Sequence, residues 1–555
     1  MPTARRPARR FGAANHPLLV AALMALAALA CTTFTDFFTL EGPEDQATDA
    51  FFTVAPPTTT PRPPATPTAA DPNAPTVTPV PVTPRAPAGG LPFSLDQADD
   101  AQAALRPEFA ADAERFPNAA RYVIDVAVTF NSDGSATLTG RELIRYTNPE
   151  DFELTDLYLM LWPNERGQYL GGAQLVGPVI VGGQPVEPEL KFNGLAARLP
   201  LAAPLAPGAS VDLEAAFTAQ VDPGLEDGAR YGLTNGVLIA PTFYPLIPRL
   251  VQGEWQIEPP PTGGDTTNSD SAFYAWRITA PAGLQIAASG VVVDQTEAGG
   301  LQSQTLLTGP MRDLALIVGD LAVESRTAGG VRLNAYLLPG HASETAAVLA
   351  QAALQVETLQ DEVGPYRFVE LDIVDAPGAF GGIEYPGLVL IGVIDSSSFY
   401  EEAVVHEVGH QWFYSLIGDD QLLQPWLDEA AASYTELLYY ERALGPQIVP
   451  DVLDESWRWL GYADDPSLPI GGPVASYGDD YGAIVYGKGA LFFDALRREL
   501  GDDTFFAFLR AYYDRYVYGF ATSAGFQEVA EETCACDLSG LFNRWVFDGG
   551  PVERP

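Results

Sequence analysis

Two histidines four residues apart, His406 and His410, with Glu407 directly after the first, constrain this chain more than any other feature. In an α-helix, residues i and i+4 lie one above the other, so both imidazoles can turn towards a single point. The stretch VVHEVGHQWF, 404–413, is therefore expected to be helical. HExxH on a helix is a hydrolytic zinc signature, in which the histidines hold the metal and the glutamate reaches a water beside it. The whole chain has only four histidines, His16, His341, His406 and His410, so this pair is half of the total.

Zinc held by two histidines needs a third protein ligand and an open fourth position. Glu429 lies 19 residues after His410, in WLDEAAASY, 426–434. A helix beginning near Pro425 would carry it, with Leu427, Ala430 and Leu437 packing that helix against the first. The spacing HExxH-x18-E is the gluzincin pattern. Glu436 shares a helical face with Glu429 and can orient a ligand histidine from behind; a solvated face is the alternative.

The length of 555 residues exceeds one ordinary core, so at least two domains are expected. The 72 acidic residues outweigh 30 basic ones, giving a formal charge of -42 and making nucleic acid an unfavourable partner. Three cysteines, Cys31, Cys534 and Cys536, are too few for a disulfide scaffold, and the C-A-C pair reads equally as a tight disulfide or as two thiols.

Residues 1–30 carry four arginines followed by the apolar run Leu18 to Ala30, which is short for a membrane span and reads as an export signal. Ala28-Leu29-Ala30-Cys31 resembles the lipobox of bacterial lipoproteins, so Cys31 is the expected acylation site. Residues 31–92 are dominated by Pro and Thr and read as a disordered, semi-rigid tether, with a lead-in segment over 93–119. From Arg121 the apolar residues alternate with period two, through Tyr122, Ile124, Val126, Val128 and Phe130. A hairpin turn follows at Asp133-Gly134, then further strand candidates at 157–161, 211–217, 272–278, 291–293 and 314–318. An antiparallel, β-sandwich-like domain is expected over 120–328. Helical periodicity takes over in 343–363, and residues 329–555 read as an α+β domain containing the metal motif.

HEVGHQWF followed by WLDEAAASY resembles the aminopeptidase N-like family of zinc metallopeptidases, whose pattern is HExxHxWF and then WLxEGFA. GGIEYPG, 381–387, is similar to the family's GxMEN motif; the resemblance implies that Glu384, with Gly381 and Gly382 beside it, binds the substrate's free amino group. YGKG is similar to the family's YxKG motif and implies that Tyr486 stabilises the oxyanion. Tyr385 stands where the family has asparagine and is expected to narrow the first substrate pocket. Asp428 and Ala430 replace the family's common asparagine and glycine. The strand 387–391 is expected to offer an edge to peptide substrates. The chain ends just after FNRWVF, so a more open cleft than in relatives with a further helical domain is expected.

The implied architecture is an N-terminal β domain joined to a thermolysin-like catalytic domain with one zinc ion, held by His406, His410 and Glu429. The implied activity is removal of N-terminal residues from peptides, with Glu407 as general base. Two rivals remain: an endopeptidase or oligopeptidase on the same scaffold, and a surface-anchored binding lipoprotein without activity.

Overall fold

The alternating apolar residues that begin at Arg121 form the strand Arg121–Phe130, which hairpins through the Asp133-Gly134 turn into Ala136–Thr147. This computed structural model describes residues 94–554 apart from 170, 225–228, 262, 266–267, 377–380, 393 and 395–399. The export signal, Cys31 and the Pro/Thr tether lie outside the described residues. The lead-in forms two 3-10 helices, Leu95–Ala104 and Pro107–Glu114.

Nine strands make the largest sheet. Ala136–Thr147 pairs along its whole length with Ser210–Val221, alternating buried with partly buried residues as a sheet with one covered face requires. The pairing in this sheet is antiparallel as expected except at one central position. Arg121–Phe130 runs parallel to Phe273–Pro281, strands far apart in sequence that no hairpin could join. A three-stranded, a four-stranded and a two-stranded sheet complete the described β-rich part, with Trp276, Tyr244 and Tyr274 fully buried inside it.

The second part is α+β. Its five-stranded sheet runs, in spatial order, Ala322–Ala328, Val331–Leu337, Glu370–Asp375, Leu388–Ile391 and Gly382–Ile383. Glu370–Asp375 is buried at every position, the pattern of a strand covered on both faces. Leu388–Ile391 is not an edge. It pairs parallel with Glu370–Asp375 and antiparallel with Gly382–Ile383, so the two-residue strand holds the edge. After Thr345 helices dominate, and one continuous apolar cluster runs from the β-rich part through Trp412, Trp426 and Phe492. Buried Arg312 ties the two parts together, donating to the carbonyls of Tyr414 at 2.9 Å and Gly519 at 2.6 Å.

Near the end of the chain Cys534 and Cys536 form a disulfide across Ala535, which takes the left-handed conformation that ends the helix Ser523–Cys534. Among the described residues no helix is long and apolar enough to cross a membrane.

Candidate metal centre and substrate anchor

The HEVGH stretch is helical over Tyr400–Gly409, and His410 N still donates to His406 O at 3.2 Å, so the two imidazoles share a face. Gly409 is the crossing point with the next helix: a Cβ there would collide with Thr435, so only glycine permits the approach. That next helix, Glu429–Leu444, begins at Glu429 itself, after a 3-10 turn over Pro425–Leu427. Asp428 caps it by accepting from Glu429 N at 2.8 Å.

The three expected ligands converge. His406 Nε2 and His410 Nε2 are 3.1 Å apart, and Glu429 Oε2 lies 3.3 and 3.2 Å from them. The remaining ring nitrogens fix the tautomers. His410 Nδ1 faces Phe413 O at 3.0 Å, and a carbonyl only accepts, so Nδ1 carries the proton. His406 Nδ1 faces Glu436 Oε1 at 2.6 Å and donates in the same way. Glu436 is therefore the orienting carboxylate behind a ligand, and buried rather than on a solvated face.

In neutral rings both Nε2 lone pairs then point at one another and at a carboxylate oxygen. Three acceptors within 3.3 Å, all buried, repel unless a cation sits among them. The donor set of two imidazoles and one carboxylate suits zinc.

Glu407 stands beside His410 on the same flank of the helix, with its carboxylate against Gly382, where a Cβ would clash with it. Both Glu407 oxygens are buried without a hydrogen-bond partner among the described residues. Burial pushes this carboxyl up to about 7, against the opposing pull of His406 and His410. Tyr486 stands in the π-helical turn Gly482–Lys488, its ring stacked on His406 at 5.9 Å, and its hydroxyl donates to Glu429 Oε1 at 2.6 Å. Lys488 lies elsewhere, donating to the carbonyls of Pro466, Leu468 and Gly550.

Glu384 follows the edge strand Gly382–Ile383 and is buried at 2 % exposure. One oxygen accepts from Gln421 Nε2 at 2.9 Å, and the other has no partner among the described residues. Burial, and then the nearby Asp265 carboxylate, pushes its carboxyl well above the ordinary range. Glu384, Glu407 and His410 each offer one atom to a group lying within 4.8 Å. Gly381 anchors the turn, its carbonyl accepting from Gly392 N at 2.9 Å.

Tyr385 is buried in an apolar cluster with Val237, Ile239 and Ile317, where the β-rich part meets the five-stranded sheet, and its hydroxyl has no hydrogen-bond partner among the described residues.

Several polar groups at the site were not anticipated. Gln411 clamps the 381–387 turn to the HEVGH helix, accepting from Gly387 N at 2.9 Å and Tyr366 Oη at 3.2 Å and donating to Tyr385 O at 3.1 Å. Its position inside HEVGHQ was the only available signal. Arg230 and Asp265 form a buried ion pair of 2.7 Å on the β-rich side, and Gln168 Nε2 donates to the adjacent Gly264 carbonyl at 2.8 Å. Nothing in the local sequence marks these residues.

The donor set His406, His410 and Glu429 matches the two-histidine, one-glutamate pattern of zinc metallopeptidases. Residues 366–545 match the Peptidase family M1 domain. The chain is 26% identical over 304 residues to Aminopeptidase M1-B of Oryza sativa subsp. japonica, covering 50% of this chain and 34% of that protein. It is 24% identical over 269 residues to Aminopeptidase N of Lactococcus lactis subsp. cremoris, covering 43% of this chain and 31% of the relative. The match thus spans about a third of the length of these relatives. Among solved structures, a mutant M1 zinc metallopeptidase from Deinococcus radiodurans aligns with a TM-score of 0.62 at 21% identity, covering 78% of this chain and 94% of that one. The same mutant bound to a Tyr-Ser-Ala substrate aligns equally well, and at this identity the likeness is one of fold.

Proposed function

We propose that the protein is a zinc aminopeptidase that grips a peptide by its free amino end and hydrolyses the first peptide bond. One observation carries the reading: the acceptor atoms of Glu384, Glu407 and His410 lie within 4.8 Å of one another. Consecutive Cα atoms are about 3.8 Å apart. Only one residue fits between an ammonium paired with Glu384 and a carbonyl beside Glu407, so cleavage falls after the first residue. The two relatives are named aminopeptidases, which agrees with this reading.

His406, His410 and Glu429 would hold the zinc. When bound, zinc supplies a Lewis acid for the scissile carbonyl and makes water a better nucleophile at neutral pH. Glu407, with both oxygens open, takes a proton from the attacking water and returns it to the leaving amine. Tyr486 can turn its hydroxyl from Glu429 to an oxygen gaining negative charge. Glu384 pairs its open oxygen with the substrate ammonium, a charge-assisted contact that an acetylated amine cannot make.

A panel of aminoacyl and N-acetyl-aminoacyl amides tests this. The expected outcome is zinc-dependent hydrolysis favouring free amines by about 100-fold, a loss of charge-assisted pairing at a buried site. Equal rates on both series would move the reading to an endopeptidase, and a protein that binds no zinc on elemental analysis would move it to a binding lipoprotein.

The basic, then apolar, leader and the Pro/Thr tether support export and attachment to a membrane by acylation at Cys31. Labelled fatty acid should enter the wild-type chain in a lipoprotein-processing host and not the Cys31→Ser variant; equal labelling would rule out this anchor.

A further inference from the structure

Resting on the aminopeptidase reading, we propose that Gln421 is the positioning residue that sets the distance between the amine anchor and the metal centre. Glu384 sits at the tip of a turn, just beyond a two-residue strand, which is too short a support to fix a carboxylate by backbone pairing alone. The fixing comes from the side chain of Gln421, which is buried at 2 % exposure. Its amide nitrogen donates to Glu384 Oε1 at 2.9 Å and to Asp428 Oδ2 at 2.9 Å, and its oxygen has no partner among the described residues.

The orientation of this amide is determined. Carboxylate oxygens accept, so the NH2 end, which has two hydrogens, must face both acids. Asp428 is not a passive partner. Its other oxygen accepts from Glu429 N at 2.8 Å and caps the helix whose first residue is the third ligand. A continuous path of hydrogen bonds therefore runs from the amine anchor, through Gln421 and Asp428, to the backbone of Glu429.

Two consequences follow for Glu384. Oxygen Oε1 already accepts from the amide, and Oε2, without a partner among the described residues, is the freer oxygen to meet an ammonium. The carboxylate also cannot swing away from the ligand cluster without breaking the bridge to Asp428. Gln421 thus fixes where the substrate's first nitrogen rests relative to the scissile carbonyl, although it need not touch the substrate.

The experiment compares the ratio of kcat/KM for free and N-acetylated aminoacyl amides in the wild type, Gln421→Leu, Glu384→Ala and the double variant. Gln421→Leu should lower the ratio about tenfold, chiefly through KM on free amines, as loss of a hydrogen bond to a charged group implies. In the Glu384→Ala background the same change should lower it no further, because the residue acts through that carboxylate. Zinc content, measured separately, should stay at one per chain. Should Gln421→Leu fail to fold with two acids left undonated, Gln421→Asn keeps the amide but is one methylene too short to span both carboxylates, and should give the same loss. A wild-type ratio in the folded variant overturns the inference, as does an equal loss in the Glu384→Ala background. A wild type indifferent to acetylation overturns the aminopeptidase reading and this inference with it.

Discussion

The site has two regions built from the same buried carboxylates and put to opposite use. Along the helix Glu429–Leu444, Glu429 and Glu436 are engaged: Glu429 accepts from Tyr486 and faces both histidines, and Glu436 accepts from His406. Across the cleft, where the 381–387 turn meets the HEVGH helix, Glu407 has two open oxygens and Glu384 has one. An unpartnered buried acceptor costs about 1–3 kcal/mol, more when charged, so such atoms persist in a fold for a reason other than stability. On the proposed aminopeptidase reading, Glu429 is a ligand, Glu436 orients one, and the open carboxylates keep lone pairs for a proton and for an ammonium.

The sharpest way to break this contrast is at Glu407. Glu407→Gln should retain zinc, since no ligand changes, while kcat falls by about 10³-fold, the range expected for removal of a general base. Wild-type turnover in that variant would place the base elsewhere. A smaller effect is expected on the engaged side. Glu436→Gln should weaken zinc binding by about 10- to 100-fold, as loss of the carboxylate behind a ligand histidine does, with activity largely recovered at saturating zinc. Competition with a chelator measures the first quantity; unchanged affinity would make Glu436 a packing residue only.

Much of the engaged region could be read from local spacing. His406 and His410 need one helix, and Glu429 and Glu436 need a second helix at the right remove, both specified by short-range periodicity. The hairpin at Asp133-Gly134 was legible for the same reason. The open region was legible only in part. Glu384 was found through the resemblance of GGIEYPG, but Gln421 and Gln411, which fix it, have partners on segments that no periodicity connects to them. The packing of Tyr385 was illegible for the same reason, because its neighbours Val237 and Ile317 belong to the β-rich part.

The parallel pairing of Arg121–Phe130 with Phe273–Pro281 shows the same limit at the level of the sheet. Alternation marks a strand and the face it buries, but not the strand beside it, because the hydrogen-bonding edges of a strand are backbone and carry no sequence mark.

By itself the sequence determined the two helices and the candidate ligand types, because helical periodicity and residue type are local, and it left the role of Glu436 open. Only the tertiary structure decided which carboxylates remain open, that Glu436 stands behind His406 and that a loop glutamine joins Glu384 to Asp428 at the start of the second helix. Those are properties of which segments meet, and they depend on packing across the whole chain, where burial removes water as the alternative partner and leaves each polar atom only the neighbours the fold supplies.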